Sequence, residues 1–265
     1  MFVYRQLIVV FLLLCIAKPL LATELRFNTQ EFAPFNYTID GLVSGPAVDT
    51  INRICQEMRI ACKFSVLPWR RAQAEVKQGL AHALFVIGWN EKRATWLHFS
   101  PPLLKTEYGF FVQKNNHLEF ENADDISGYV VAVYGPSNTS HSLSEVKKKR
   151  DGTGFETISI DMQPDDESGF RKLALGRVGA VYSNRDVGFA LIKKIGLKNI
   201  RYAGDHKKLQ YYIGFSKEHT DRKLVEKFNF TFRELHKLGD IQRIIRSYQL
   251  EVVENLEKHS TIYPQ

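Results

Sequence analysis

Cysteine is scarce in this chain: three in 265 residues, with Cys15 inside an apolar leader. A cysteine-dense secreted scaffold is thereby excluded. The eight histidines fall at no metal-ligand spacing, so metal chemistry has no support and no cofactor is expected. Low-complexity tracts and short-period repeats are lacking, which excludes a solenoid. Long apolar runs are rare as well. The one at the start, Leu7 to Ile16, is too short to span a bilayer comfortably; it follows Arg5 and leads to Leu20-Leu21-Ala22, which ends in a small residue suited to signal peptidase. Residues 1–22 therefore read as a cleaved secretory signal, with the mature chain beginning near Thr23. An uncleaved anchor is the competing reading, and Lys18 with Pro19 interrupts the run against it. Leu14 stands before Cys15 where lipoprotein processing wants a small residue.

The excess of base is mild. Thirty-six Lys and Arg against 29 Asp and Glu give a net charge of +7, and the leader takes two basic residues and no acid with it. The dense basic cluster Lys147-Lys148-Lys149-Arg150 reads as the solvated end of a helix rather than a nucleic-acid face. No nucleic-acid partner is expected.

Cys55 and Cys62 remain in the mature chain. Export favours a disulfide over two buried free thiols, which is the alternative. Seven residues of continuous helix would hold their Cα atoms about 10 Å apart, beyond the roughly 7 Å a bridge tolerates. A bridge therefore requires the helix to stop near Met58-Arg59-Ile60-Ala61.

Apolar strand-like runs alternate with helical patterns, which predicts an α/β fold. The first series comprises strands at Leu25–Thr29, Lys63–Leu67 and Ala83–Ile87. Helices are expected over Val48–Met58, with Val48, Ile51, Ile54, Cys55 and Met58 on one face, and over Trp69–Gln78. A second series has strands at Tyr129–Tyr134, Glu156–Ile160 and Ala180–Tyr182, with helices at Ser140–Lys149 and Gly169–Leu175. Aromatic-rich strands at Tyr108–Lys114 and Leu209–Ser216 look like connections between the halves. The expected organisation is a first lobe from 23–114 plus 209–250, an inserted second lobe at 115–208, and a tail at 251–265. The last helical stretch, Asp221 to Tyr248, breaks at Gly239.

In order, Glu31-Phe32-Ala33-Pro34-Phe35, the Cys55/Cys62 spacing, two helix-end glycine phrases at Gly79 and Gly176, Glu91-Lys92-Arg93 with Phe99-Ser100, and Leu238-Gly239-Asp240 resemble the family 3 bacterial periplasmic solute-binding proteins. That group includes receptors for histidine and for lysine, arginine and ornithine. The likeness covers nearly the whole mature chain. It implies a two-lobe type II periplasmic binding protein-like fold, with two crossover strands as hinge, closing over a ligand at strand ends.

The resemblance also assigns roles. Arg93, just past the strand ending at Gly88, matches the arginine that holds a ligand carboxylate, for which a guanidinium fork is suited. Pairing with Glu91 at the surface is the competing reading. Phe32 and Trp69 match apolar walls and Trp89 a rim position, against ordinary core packing for each. Ser137, Asn138 and Thr139 match a turn whose helix start binds anions; helix capping alone would also explain them. Asn184 departs from the pattern, because amino-acid receptors of this family commonly place an aspartate there for the ligand's ammonium. Thr29 likewise replaces an acid common in receptors for basic amino acids, while Arg70 and Arg185 stand near these turns. These departures favour an anionic or weakly charged polar ligand.

The implied function is a monomeric periplasmic receptor that delivers a small carboxylate-bearing solute, an amino acid or a relative, to an inner-membrane ABC permease. A ligand-binding sensor or orphan binder without transport is the second reading. The third, a dehydratase-like enzyme on the same fold, needs a general acid or base, for which Glu31 and Glu107 are candidates without a catalytic constellation. No enzyme is expected.

Overall fold

The computed structural model describes residues 24–148 and 158–256. The expected leader, the Lys149-Arg150 end of the basic cluster and most of the expected tail lie outside the described residues. Eleven strands are present among them: β1 (Glu24–Thr29), β2 (Tyr37–Ile39), β3 (Leu42–Ser44), β4 (Ala61–Val66), β5 (Ala83–Gly88), β6 (Leu97–Phe99), β7 (Leu104–Gln113), β8 (Tyr129–Tyr134), β9 (Ile158–Gln163), β10 (Ala180–Asn184) and β11 (Ile200–Ser216). Nine of them share one sheet in the order β4-β1-β5-β11-β7-β10-β8-β9, with β6 also on β11. The outer pairs on each side are parallel, and β5/β11, β11/β7 and β7/β10 are antiparallel. The result is the two-lobe periplasmic binding protein fold: a parallel α/β half at each end, joined by two long strands.

Each half has its own apolar core. Phe27, Ile51, Phe85, Phe215, Phe228 and Phe232 pack in the first, and Phe110, Val131, Val133, Leu143 and Tyr182 in the second. The Pro46–Met58 helix starts with proline at its first position and buries the expected stripe Val48, Ile51, Ile54, Cys55 and Met58. It stops because Arg59 turns left-handed at φ 56°; the amides of Arg59 and Ile60 then donate to the carbonyls of Gln56 and Cys55. That turn leaves the Cys55 and Cys62 Cα atoms 6.3 Å apart, and the two are joined by a disulfide.

Three features differ from expectation. β11 starts at Ile200 rather than Leu209 and pairs with β7 from Ile200 to Tyr211, so the expected lobe boundary at 208 falls inside one strand. Its early part, Gly204-Asp205-His206-Lys207-Lys208, is polar and irregular in register, which hides the strand from periodicity. A helix at Arg185–Lys194 follows β10 directly where a turn was expected. Its Gly188 lies so close to Phe111 that a Cβ would collide with the ring, and an interior glycine weakens any helical pattern in sequence. The Asp166–Ala174 helix begins three residues before the expected Gly169.

Val86 breaks the pleat of β5. It has φ 54°, rare for a β-branched residue, and the β5/β11 register passes from Ile213↔Phe85 to Tyr212↔Ile87, leaving Val86 as a bulge. Val86, Ile87 and Gly88 all border the cleft described next.

Candidate ligand-binding cleft

A cavity of about 430 Å³ lies between the halves, at the carboxyl ends of β1, β5, β8 and β10. That is where open α/β sheets bind ligands. Phe32, Trp69, Gly88 and Arg93 line it from the first half; Ser137, Asn138, Thr139 and Asn184 line it from the second; Tyr108 and Tyr211 rise into it from the two crossover strands. A more open groove of about 470 Å³ on the outer face of the second half, around Tyr129 and Arg177, contains none of the expected site residues.

Arg93 is aimed by a local device. Asn90 caps the Glu91–Ala94 turn, its Oδ1 accepting from the Arg93 amide at 2.8 Å. The side chain reaches back so that Nη1 donates to the Gly88 carbonyl at 2.7 Å, and the guanidinium lies 5.5 Å from the centre of the Trp69 ring. Burial lowers its pKa, and the Tyr108 and Tyr211 phenols act in the opposite direction. Among the described residues no carboxylate pairs with Arg93, and Glu91 is exposed beside it without an ion pair to it. Gly88 stands beside the arginine: a Cβ there would meet Arg93 Nη1 at 3.9 Å and Asn138 Nδ2 at 3.4 Å, ordinary contact distances.

The floor is phenolic. Tyr211 is buried edge-on against Phe32 and Phe35, at centroid distances of 5.6 and 5.3 Å. Burial raises the pKa of both Tyr211 and Tyr108, which hydrogen-bond to each other, so both stay neutral donors. Thr139 hydrogen-bonds to Tyr108.

Several expected contributors are occupied otherwise. Asn184 lines the cavity but works as a helix cap: Oδ1 accepts from the amides of Asp186 and Val187 at 2.9 and 3.1 Å, and Nδ2 donates to the Thr106 and Tyr211 hydroxyls. The Ser137 hydroxyl donates to the Tyr134 carbonyl and accepts from the Ser140 amide, so capping accounts for it. Trp89 does not line the cavity. It is half-buried one residue beyond the end of β5. Thr29 donates to the Phe85 carbonyl beneath the cavity wall. Arg70 lines the cavity, whereas Arg185 turns to Glu107 and Glu251 at 3.0 and 2.9 Å. Glu31 accepts from the Thr38 amide and hydroxyl. Both candidate acids of an enzymatic reading are thus engaged away from the cleft.

Sequence reasoning missed Asp166. It sits in the first turn of the Asp166–Ala174 helix, where Asp165 caps the helix by accepting from the Ser168 amide at 2.7 Å. Its Oδ1 accepts from the Ser183 hydroxyl at 2.8 Å, and it lines the cavity. Burial raises the carboxyl pKa, with Asp165 adding to the shift and Ser183 opposing it. The run Pro164-Asp165-Asp166-Glu167 carries a helix-start signature that places this residue at a strand-to-helix junction.

Residues 25–251 match the model of the bacterial extracellular solute-binding proteins, family 3. The chain belongs to this family. An arginine-binding periplasmic protein of Mannheimia haemolytica is 24% identical over 236 residues, covering 84% of this chain and 90% of that protein. Among solved structures, an ancestral arginine-binding protein bound to arginine superposes with a TM-score of 0.71 at 21% identity, covering 85% of this chain and 97% of that one. A histidine kinase sensor domain with similarity to periplasmic binding proteins gives 0.71 at 20% identity, with 85% and 95% covered. The family's members are extracellular binding proteins, and among the described residues no helix is long and apolar enough to cross a membrane.

Proposed function

We propose that this solute-binding protein is a periplasmic receptor that closes its two lobes on a small carboxylate-bearing solute and delivers it to an ABC permease. The observation that carries the reading is Arg93: a guanidinium drawn into the cleft, propped by Gly88 and Trp69, with no acid among the described residues paired to it. A buried cation without a partner is costly, and a ligand carboxylate removes that cost with two charge-assisted bonds. The cavity is of the size of small-molecule sites, and its aromatic walls shed water as the lobes close.

A sensing role is the second reading, supported by the likeness to the histidine kinase sensor domain. Mass spectrometry of small molecules released on unfolding the purified protein identifies the solute. Uptake of that labelled solute by a deletion strain then decides between the readings: reduced uptake is expected, and unchanged uptake overturns the transport role.

A further inference from the structure

The segment after the Asp240–Ser247 helix is fastened to the first half and holds a side chain of the second. Gln249 turns left-handed at φ 59°, after which Val252 and Val253 are buried beside Leu103, Ile241 and Ile245, and the Val253 carbonyl accepts from His236 Nε2 at 2.6 Å. Between that anchor and the helix, Glu251 reaches in two directions. Its Oε2 meets the Lys105 ammonium at 2.9 Å, and its Oε1 meets Arg185 Nη2 at 2.9 Å. Lys105 stands on the crossover strand β7, and Arg185 opens the Arg185–Lys194 helix of the second half. The Lys105 ammonium, with Arg185 beside it, holds the Glu251 carboxyl below the usual carboxylate range, so the group is ionised near neutral pH. One carboxylate thus joins the first half's last segment, a crossover strand and the second half.

Lys105, Arg185 and Glu251 do not line the cleft. Arg185 nevertheless follows directly on Asn184, which lines it and caps the same helix. Movement of Arg185 relative to Glu251 is therefore movement of a cleft wall relative to the first half. The halves stand close in this arrangement: a Cβ on Gly88 of the first would meet Asn138 of the second at 3.4 Å. The ion pair is at contact distance here, so rotation of the halves about the crossover strands in either sense stretches or compresses it.

We propose that Glu251 is a latch across the hinge: by tying the first half's last segment to Arg185 it favours the closed spacing and raises affinity for a bound solute without touching that solute. This inference rests on the receptor reading above and adds a control over closure. Affinity scales with the fraction of molecules in the binding-competent arrangement, so the latch changes it by one factor common to every ligand, which a residue in contact with ligand does not do.

The test compares wild type, Glu251→Gln and Glu251→Arg by calorimetric titration with the proteinogenic α-amino acids. In parallel, nitroxide labels on Leu80→Cys and Leu175→Cys, exposed positions on the first and second halves, report the distance between the halves by electron–electron resonance. Glutamine keeps the shape and removes the charge, and Arg185 retains Glu107 and Asp186 at 3.0 and 3.4 Å; a thermal melt of each variant verifies folding. Glu251→Gln should raise Kd about threefold, by the same factor for each amino acid that wild type binds. Glu251→Arg should raise it at least as much, and in both variants the label distances without ligand should differ from those of wild type. Equal Kd in wild type and both variants, a factor that differs between amino acids, or label distances that coincide in all three proteins overturns the latch. If wild type binds none of the amino acids, that counts against the receptor reading and not against the latch, which the label distances then decide.

Discussion

Arg93→Met should separate binding from stability. Methionine keeps an unbranched apolar stem against Trp69 while removing the charge and the bond to the Gly88 carbonyl. In the empty protein the lost charge had no acid partner, and the freed carbonyl borders a cavity that water enters. The empty variant should therefore melt within about 2 °C of wild type or above it. With ligand the balance is opposite. At a concentration 100 times Kd, wild type gains about 2.7 kcal/mol, which in a protein of this size raises Tm by about 5–11 °C. Losing the partner of a buried ion pair costs about 3–5 kcal/mol, so Kd rises by two orders of magnitude or more. The same concentration then yields about 0.4 kcal/mol or less, a shift of about 1 °C. Differential scanning calorimetry of both proteins, with and without the solute released from wild type, reads all four states. A fall of more than about 5 °C in the empty variant, with the ligand shift intact, would show that Arg93 is a structural prop and refute the reasoning.

Asp166 makes stability depend on pH with a defined sign. Its folded-state pKa is raised, so between the unfolded carboxylate value and that raised pKa the native state binds more protons; stability falls as pH rises through this window, and the ionised carboxylate is a cost above it. Ligand-free Asp166→Asn should accordingly be more stable than wild type near pH 7, with the difference vanishing below about pH 4, as read from denaturant melts across pH. Replacing Cys55 and Cys62 by serine opens a short loop, and chain entropy puts the loss at about 2.5 kcal/mol, a drop of about 5–10 °C in Tm. Ligand affinity should be unchanged, since neither residue lines the cleft; an unaltered Tm would show that the bridge adds nothing.

The two halves were legible in the sequence because their strands are apolar runs and their helices carry stripes. Val48, Ile51, Ile54, Cys55 and Met58 predicted a buried face that the Pro46–Met58 helix has. The placing of Gly88, Arg93 and Trp69 in one cavity followed from the family pattern and from strand ends sharing an edge. The crossover strand β11 was half hidden, because its polar early part is stabilised by pairing with β7 rather than by apolar alternation. The Arg185–Lys194 helix was hidden by a glycine that the Phe111 ring requires. Asn184 was read as a weakened ligand contact when its side-chain oxygen is a cap, and Asp166 lay outside the helix expected from Gly169.

The sequence by itself determined the export signal as an expectation, the α/β class, the family and the arginine at the end of β5, since each is written in local composition and spacing. Tertiary structure decided which charges are free. Glu107 and Arg185 neutralise each other, Asn184 spends its oxygen on capping its own helix and its amide nitrogen on the Thr106 and Tyr211 hydroxyls, and among the described residues Arg70, Arg93 and Asp166 face the cleft without an ion pair. Periodicity reports the environment along one element, whereas a charge's partner is set by distances between elements far apart in the chain. Only the folded sheet, with β5 and β10 on opposite sides of the crossover strands, sets those distances.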